Sequence, residues 1–95
     1  MATRKKSSVF IVDDHPIMRD GISQLIGQQP DLEVCGSASG GPEALDALGR
    51  GVPDLLLVDI SLGGMSGIDL IKIVKKRRPR LPILVLSMHS EDLYA

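Results

Sequence analysis

The tightest constraint on the fold is the stretch Asp54-Leu55-Leu56-Leu57-Val58-Asp59-Ile60. Four apolar residues follow one another without alternation and end in an acid. A run this short is no helix, and its lack of polar alternation marks a strand buried on both faces, as in a parallel sheet. Asp59 then falls at the carboxyl edge of that sheet, where open α/β folds bind their ligands. An aspartate after a strand can also be a simple turn former, so the rest of the chain has to separate the two roles.

The same pattern recurs. Val9-Phe10-Ile11-Val12 is a second continuous apolar run, rich in β-branched residues, and it ends in Asp13-Asp14-His15-Pro16. Proline is tolerated in a first helical turn, and Ile17, Met18, Ile22, Leu25 and Ile26 then recur at helical spacing, which predicts a helix from about 16 to about 28. Leu32 to Ala38 alternates only in part and reads as an edge strand. Pro42 opens a second helix with Ala44, Leu45, Ala47 and Leu48 on its apolar face. After Asp59 come three glycines in eight residues, Ile60 to Gly67, a loop that needs unusual backbone angles or a close approach. Ser66 and Asp69 fit a capping box. Ile68, Ile71 and Val74 are predicted to face inward on a third helix, which ends in Lys75-Lys76-Arg77-Arg78. Ile83-Leu84-Val85-Leu86 is a fourth buried run, ending in Ser87. Strands alternating with helices imply a parallel sheet covered by helices, with right-handed crossovers.

Composition narrows the function. Ninety-five residues make one small domain, and with Phe10 and Tyr94 as the only aromatics the core is aliphatic. Eleven basic residues against twelve acidic ones give no global charge argument for nucleic acid or a membrane surface. The single cysteine, Cys35, excludes an internal disulfide and a multi-cysteine metal site, and its apolar neighbours suggest a buried thiol. Residues 1–8 are expected to form a disordered basic tail, and no stretch has the length of a membrane span. The expected location is the cytoplasm. The six basic residues between Lys72 and Arg80 could contact phosphates, but a helix C-terminus complementing its own dipole explains them better, since no aromatics interleave them.

Three strands thus end in polar groups: Asp13 and Asp14 after the first, Asp59 after the third, Ser87 after the fourth. If the first strand lies between the second and third, the three acids meet. Two carboxylates about 5 Å apart at an effective dielectric of about 20 repel by roughly 3 kcal/mol, so three together call for a cation. Hard oxygen donors suit Mg²⁺. A carboxylate beside such an ion can accept a phosphoryl group, and a hydroxyl such as that of Ser87 can hydrogen-bond it.

Together Val9 to Pro16, Leu55 to Asp59, Met65-Ser66-Gly67 and Ile83 to Ser87, in this order and spacing, resemble the receiver domain of two-component response regulators. Asp-Asp-His-Pro and the Leu-Ser-Met-His after the fourth strand are most similar to the NarL/FixJ subgroup. The resemblance covers residues 9–95. It implies a flavodoxin-like, doubly wound α/β sheet of order 2-1-3-4. It makes Asp59 the phosphoacceptor and, with Asp14, a direct Mg²⁺ ligand, and Asp13 a ligand through water. The backbone carbonyl of Ser61 becomes a further ligand and Ser87 the switch hydroxyl. It implies a sensor histidine kinase as phosphodonor and, in a parent protein, transcription control through a helix-turn-helix domain. Such a domain is a regulator rather than an enzyme, and makes no direct contact with nucleic acid or membrane.

Receivers carry a fifth strand ending in a lysine, and the chain is expected to stop before it, with no output domain. Lys72, Lys75 and Lys76 should face solvent on the third helix. The fourth strand then becomes an open apolar edge, and homodimers or association through that strand follow. Two other functions compete. One is a small Mg²⁺-dependent phosphatase or phosphotransferase, which wants an acid–base group two residues past its nucleophile, where Asp59 has Ser61 and Asp13 has His15. The other is an interaction fragment that does not switch. A flavin- or nucleotide-binding module fits less well, because Asp13 and Asp14 repel a phosphate. His15 could be a metal ligand or a pH switch, but a helix-capping turn residue beside Pro16 explains it better. Gly63-Gly64 could cradle a phosphate, but with no Gly-x-Gly-x-x-Gly or Walker pattern around it, it reads as a loop over the acids.

Overall fold

The structure is a computed structural model that describes residues 6–60 and 67–86. Strands β1 (Ser7–Val12), β2 (Leu32–Ala38), β3 (Leu55–Asp59) and β4 (Ile83–Leu86) alternate with helices α1 (Pro16–Gly27), α2 (Gly41–Arg50) and α3 (Gly67–Arg77). The strands form one parallel sheet in the order β2-β1-β3-β4, as expected.

The order explains which face each helix covers. The chain first winds from β1 outward to β2, then turns back past β1 to β3 and on to β4. Crossovers of one hand put helices on opposite faces when the winding direction reverses. Accordingly α1 covers one face, where Ile26 and Ile22 pack on Val9, Ile11 and Leu57. On the other face, Ala44 and Leu48 of α2 and Leu70 and Val74 of α3 pack on Phe10, Val12, Leu56 and Val58. The winding reverses between β1 and β3, so their carboxyl ends frame the crevice of the fold.

The unbroken apolar runs are explained by this two-sided burial. In β1 and β3 odd and even residues are buried in different clusters: Val9, Ile11 and Leu57 on the α1 side, Phe10, Val12, Leu56 and Val58 on the other. The edge strand β2 is less regular. Its register with β1 slips by one residue between Val9↔Val34 and Phe10↔Gly36, leaving Cys35 unpaired with β1. The extra residue exchanges the two faces: Leu32 and Val34 pack on the α1 side, and Ala38 on the other. Gly36 leaves room there for the Phe10 ring, from which a Cβ would stand 3.0 Å.

Several expectations need correction. Cys35 is exposed, not buried, because it is the extra residue of an edge strand. The first strand begins at Ser7, inside the stretch expected to be a disordered tail. Ser7 N–H donates to the Asp31 carbonyl at 2.8 Å and Ser8 N–H to Asp54 Oδ2 at 2.8 Å, which extends the pairing toward the N-terminus. On α1, Ile17 and Leu25 are 89% and 63% exposed, and Met18, Ile22 and Ile26 form the inward stripe. On α3, Ile68 faces outward and Leu70 takes the buried place. The β4 run is only partly covered, with Leu84 50% and Val85 42% exposed, because β3 is its one neighbour among the described residues. No helix among the described residues is long and apolar enough to cross a membrane.

Candidate functional site

The register of β1 on β3 builds the site. Val12 pairs with Val58, so Asp13 and Asp59 leave adjacent strands side by side at the crevice. Asp59 is still paired, with Leu86 of β4, and Ile60 N–H donates to the Leu86 carbonyl at 2.9 Å. On the other flank Asp13 N–H donates to the Ala38 carbonyl at 3.0 Å. Both acids are thereby held by backbone on rigid strands, and both are fully buried. Asp14 is one residue beyond the strand and its side chain is 31% exposed.

The turn into α1 adds a fourth group. His15 N–H donates to Asp13 Oδ1 at 2.9 Å, an Asx-type turn that starts the helix. His15 has the extended backbone that a following proline imposes, with φ −102° and ψ 108°. Its ring is thereby turned back over the acids. Nδ1 lies 2.9 Å from Asp14 Oδ1, 3.1 Å from Asp13 Oδ1 and 3.6 Å from Asp59 Oδ2. The imidazole pKa is raised above its ordinary 6.5, first by the hydrogen bond to Asp13, then by the charge of Asp14; burial opposes this, and the charges of Asp13 and Asp59 add to it. Arg19 is aimed elsewhere at the same turn: its Nη1 donates to the Asp13 carbonyl at 2.8 Å.

A cation suits this arrangement. Asp13 Oδ2 is buried and takes no hydrogen bond from any described residue, a costly state for a carboxylate oxygen unless a charge faces it. Asp13, Asp14, His15 and Asp59 each offer a donor atom, all within 4.8 Å of one another. Mg²⁺ fits the carboxylates, and they could hold it there.

Of the site residues expected from the sequence, Asp13, Asp14 and Asp59 are brought together. Ser61 and Ser87 lie outside the described residues, as do Gly63, Gly64, His89 and the Ser66 half of the capping box. Lys72, Lys75 and Lys76 are exposed on α3. His15 is the turn residue expected beside Pro16, and its ring also reaches the acids, as the less favoured ligand reading requires. The available signal was its place between the acidic pair and a proline, which fixes the backbone and so the side of the turn that the ring takes.

Gly67 lies close against the backbone that carries Asp59. A Cβ there would sit 2.6 Å from both the Asp59 carbonyl oxygen and the Ile60 Cα. The close approach expected of this glycine-rich loop is therefore, at Gly67, an approach to the backbone of β3.

Comparison with known proteins gives a consistent result. Residues 9–95 match the family model of the response regulator receiver domain. The nitrate/nitrite response regulator NarL of Escherichia coli K12 is 32% identical over 95 residues, which are 98% of this chain and 44% of that protein. A protein-glutamate methylesterase/protein-glutamine glutaminase of Pyrococcus horikoshii is 33% identical over 88 residues, 93% of this chain and 24% of that one. Among solved structures, RcsB of Salmonella enterica serovar Typhimurium, bound to promoter P1flhDC in the presence of the phosphomimetic BeF3⁻, superposes with a TM-score of 0.81 at 33% identity. That match covers 88% of this chain and 42% of RcsB. The chain thus spans less than half the length of these relatives.

Proposed function

Because the chain belongs to the response regulator receiver domain family, we propose that it is a phosphoacceptor whose Asp59 takes a phosphoryl group from a sensor histidine kinase. The observation that carries this reading is the burial of Asp59 beside Asp13 at the carboxyl ends of β3 and β1, with Asp14 next to them. Asp59 is the member best placed to be the nucleophile. It ends a central strand and is held by pairing with Leu86, so its carboxylate keeps one position for attack on the phosphorus. Asp59 itself and Asp14 would hold Mg²⁺ directly and Asp13 through water, with the Ser61 carbonyl as a further donor. When bound, the ion neutralises charge on the transferring oxygens. Ser87 follows Leu86, the partner of Asp59, and is proposed to hydrogen-bond the phosphoryl group.

Phosphorylation adds charge to a crevice already crowded with acids, and biases the surrounding surface between two conformations. The chain is on this reading a regulator and not an enzyme in its own right. In a longer protein its readout would be transcription control through a helix-turn-helix domain, a reading supported by the promoter-bound state of RcsB. A histidine kinase that feeds it places it in the cytoplasm.

Incubation with acetyl phosphate and Mg²⁺, followed by intact mass, tests the reading. The parent protein gains one phosphoryl group and the Asp59→Asn variant gains none. An equal gain in the variant, or no gain in a folded parent, sinks it.

A further inference from the structure

The three acids explain a site for a hard cation but leave His15 over. One Nδ1 atom faces three carboxylate oxygens at 2.9, 3.1 and 3.6 Å. A single N–H hydrogen-bonds well to one of them. A metal ion would engage Nδ1 together with the carboxylates, Asp13 among them through water. Bonds of about 2.1 Å separate neighbouring donors by roughly 3.0 Å in an octahedron and roughly 3.4 Å in a tetrahedron. The three distances from Nδ1 bracket those edges. The ring is not there by chance rotation alone, since the turn to Asp13 and the proline after it fix the backbone that carries it. Independently of His15, the buried Asp13 Oδ2 takes no hydrogen bond from a described residue.

We infer that His15 Nδ1 is a ligand of the cation site, and that it biases the site toward late first-row transition ions such as Ni²⁺ over Mg²⁺. The inference rests on the metal-assisted phosphoacceptor reading and adds a residue and a metal class to it. The chemistry is that of the donor set. Mg²⁺ prefers oxygen donors and gives up its water reluctantly. Imidazole nitrogen suits nickel, copper and zinc, and at a given site affinity rises along the first row toward copper. One nitrogen added to three carboxylates therefore favours late ions far more than it favours Mg²⁺. The half-exposed ring can bind through Nδ1 while Nε2 stays toward solvent.

The test uses untagged protein and the metals alone. Ni²⁺ and Mg²⁺ are titrated separately by calorimetry into the parent, His15→Ala and His89→Ala, the last a control for the other histidine. The expected result is a ratio of Ni²⁺ to Mg²⁺ affinity that falls at least about tenfold in His15→Ala and changes less than twofold in His89→Ala. Pulsed electron paramagnetic resonance of Mn²⁺ bound to the parent, which needs no variant, shows coupling to a coordinated nitrogen. A ratio unchanged in His15→Ala, or Mn²⁺ bound with no nitrogen coupling, overturns the inference and leaves the phosphoacceptor reading intact. A parent protein that binds none of these ions overturns both.

Discussion

At the scale of the residue, the site is a problem of charge placed in a small volume. Asp13 and Asp59 are fully buried, and the His15 ring lies within 3.6 Å of each carboxylate of the cluster. In the absence of metal, the protonated ring is the nearest positive charge among the described contacts. Its folded-state pKa lies above the ordinary 6.5. His15 therefore contributes stability that is full below pH 6.5 and is lost as the pH rises through the raised folded-state value. Urea midpoints of metal-free parent and His15→Asn are predicted to converge as the pH rises through that value, and a gap that widens would contradict the sign. Asp59→Asn removes one of the crowded charges. It is predicted to raise the metal-free unfolding free energy, read from urea titrations, by about 1 kcal/mol or more, and to reduce the further gain that Mg²⁺ gives the parent through binding to the folded state. Gly67→Ala strikes the same region through sterics. Its Cβ meets main chain of Asp59 and Ile60, which cannot turn aside. A loss of about 1–3 kcal/mol in chemical denaturation is expected, together with slower phosphorylation, because relief requires α3 or the end of β3 to move.

At the scale of the element, what could be read in the sequence was what periodicity encodes. The runs Val9 to Val12 and Leu55 to Val58 announced buried parallel strands because both of their faces are covered. Helix starts followed from Pro16 and Pro42. The chain order that makes the acids converge came with the family resemblance, and the register Val12↔Val58 bears it out. What failed lay where tertiary context overrides pattern. The slip at Cys35 exchanges the faces of β2 and exposes the thiol, and no local signal marks it apart from Gly36. Ile17 and Leu25 sit at helical spacing, yet the sheet claims only the stripe through Met18, Ile22 and Ile26. That distinction is measurable. Ile26→Ala should cost about 2–4 kcal/mol through loss of buried contact, while Ile17→Ala stays within about 0.5 kcal/mol. Equal costs would place the packed stripe elsewhere.

At the scale of the whole molecule, the two faces are unequally covered. Among the described residues, two helices lie over Phe10, Val12, Leu56 and Val58, whereas α1 alone covers the smaller cluster of Val9, Ile11, Ile26 and Leu57. Beside that thin face stands β4, with Leu84 and Val85 half-exposed. An apolar strand with one side unpaired among the described residues invites another strand. Concentration-dependent association is predicted by sedimentation velocity, and Leu84→Lys should suppress it. Association unaffected by that change would move the contact away from β4.

Chemical trapping of the modified residue tests the role of Asp59 most directly. After reaction with acetyl phosphate and Mg²⁺, borohydride reduces an aspartyl phosphate to an alcohol, and tandem mass spectrometry of the peptides locates it. The reduced residue is predicted at Asp59 alone. Reduction at Asp13 or Asp14 instead, or at no aspartate of a folded sample, would contradict a phosphoacceptor built at the end of β3.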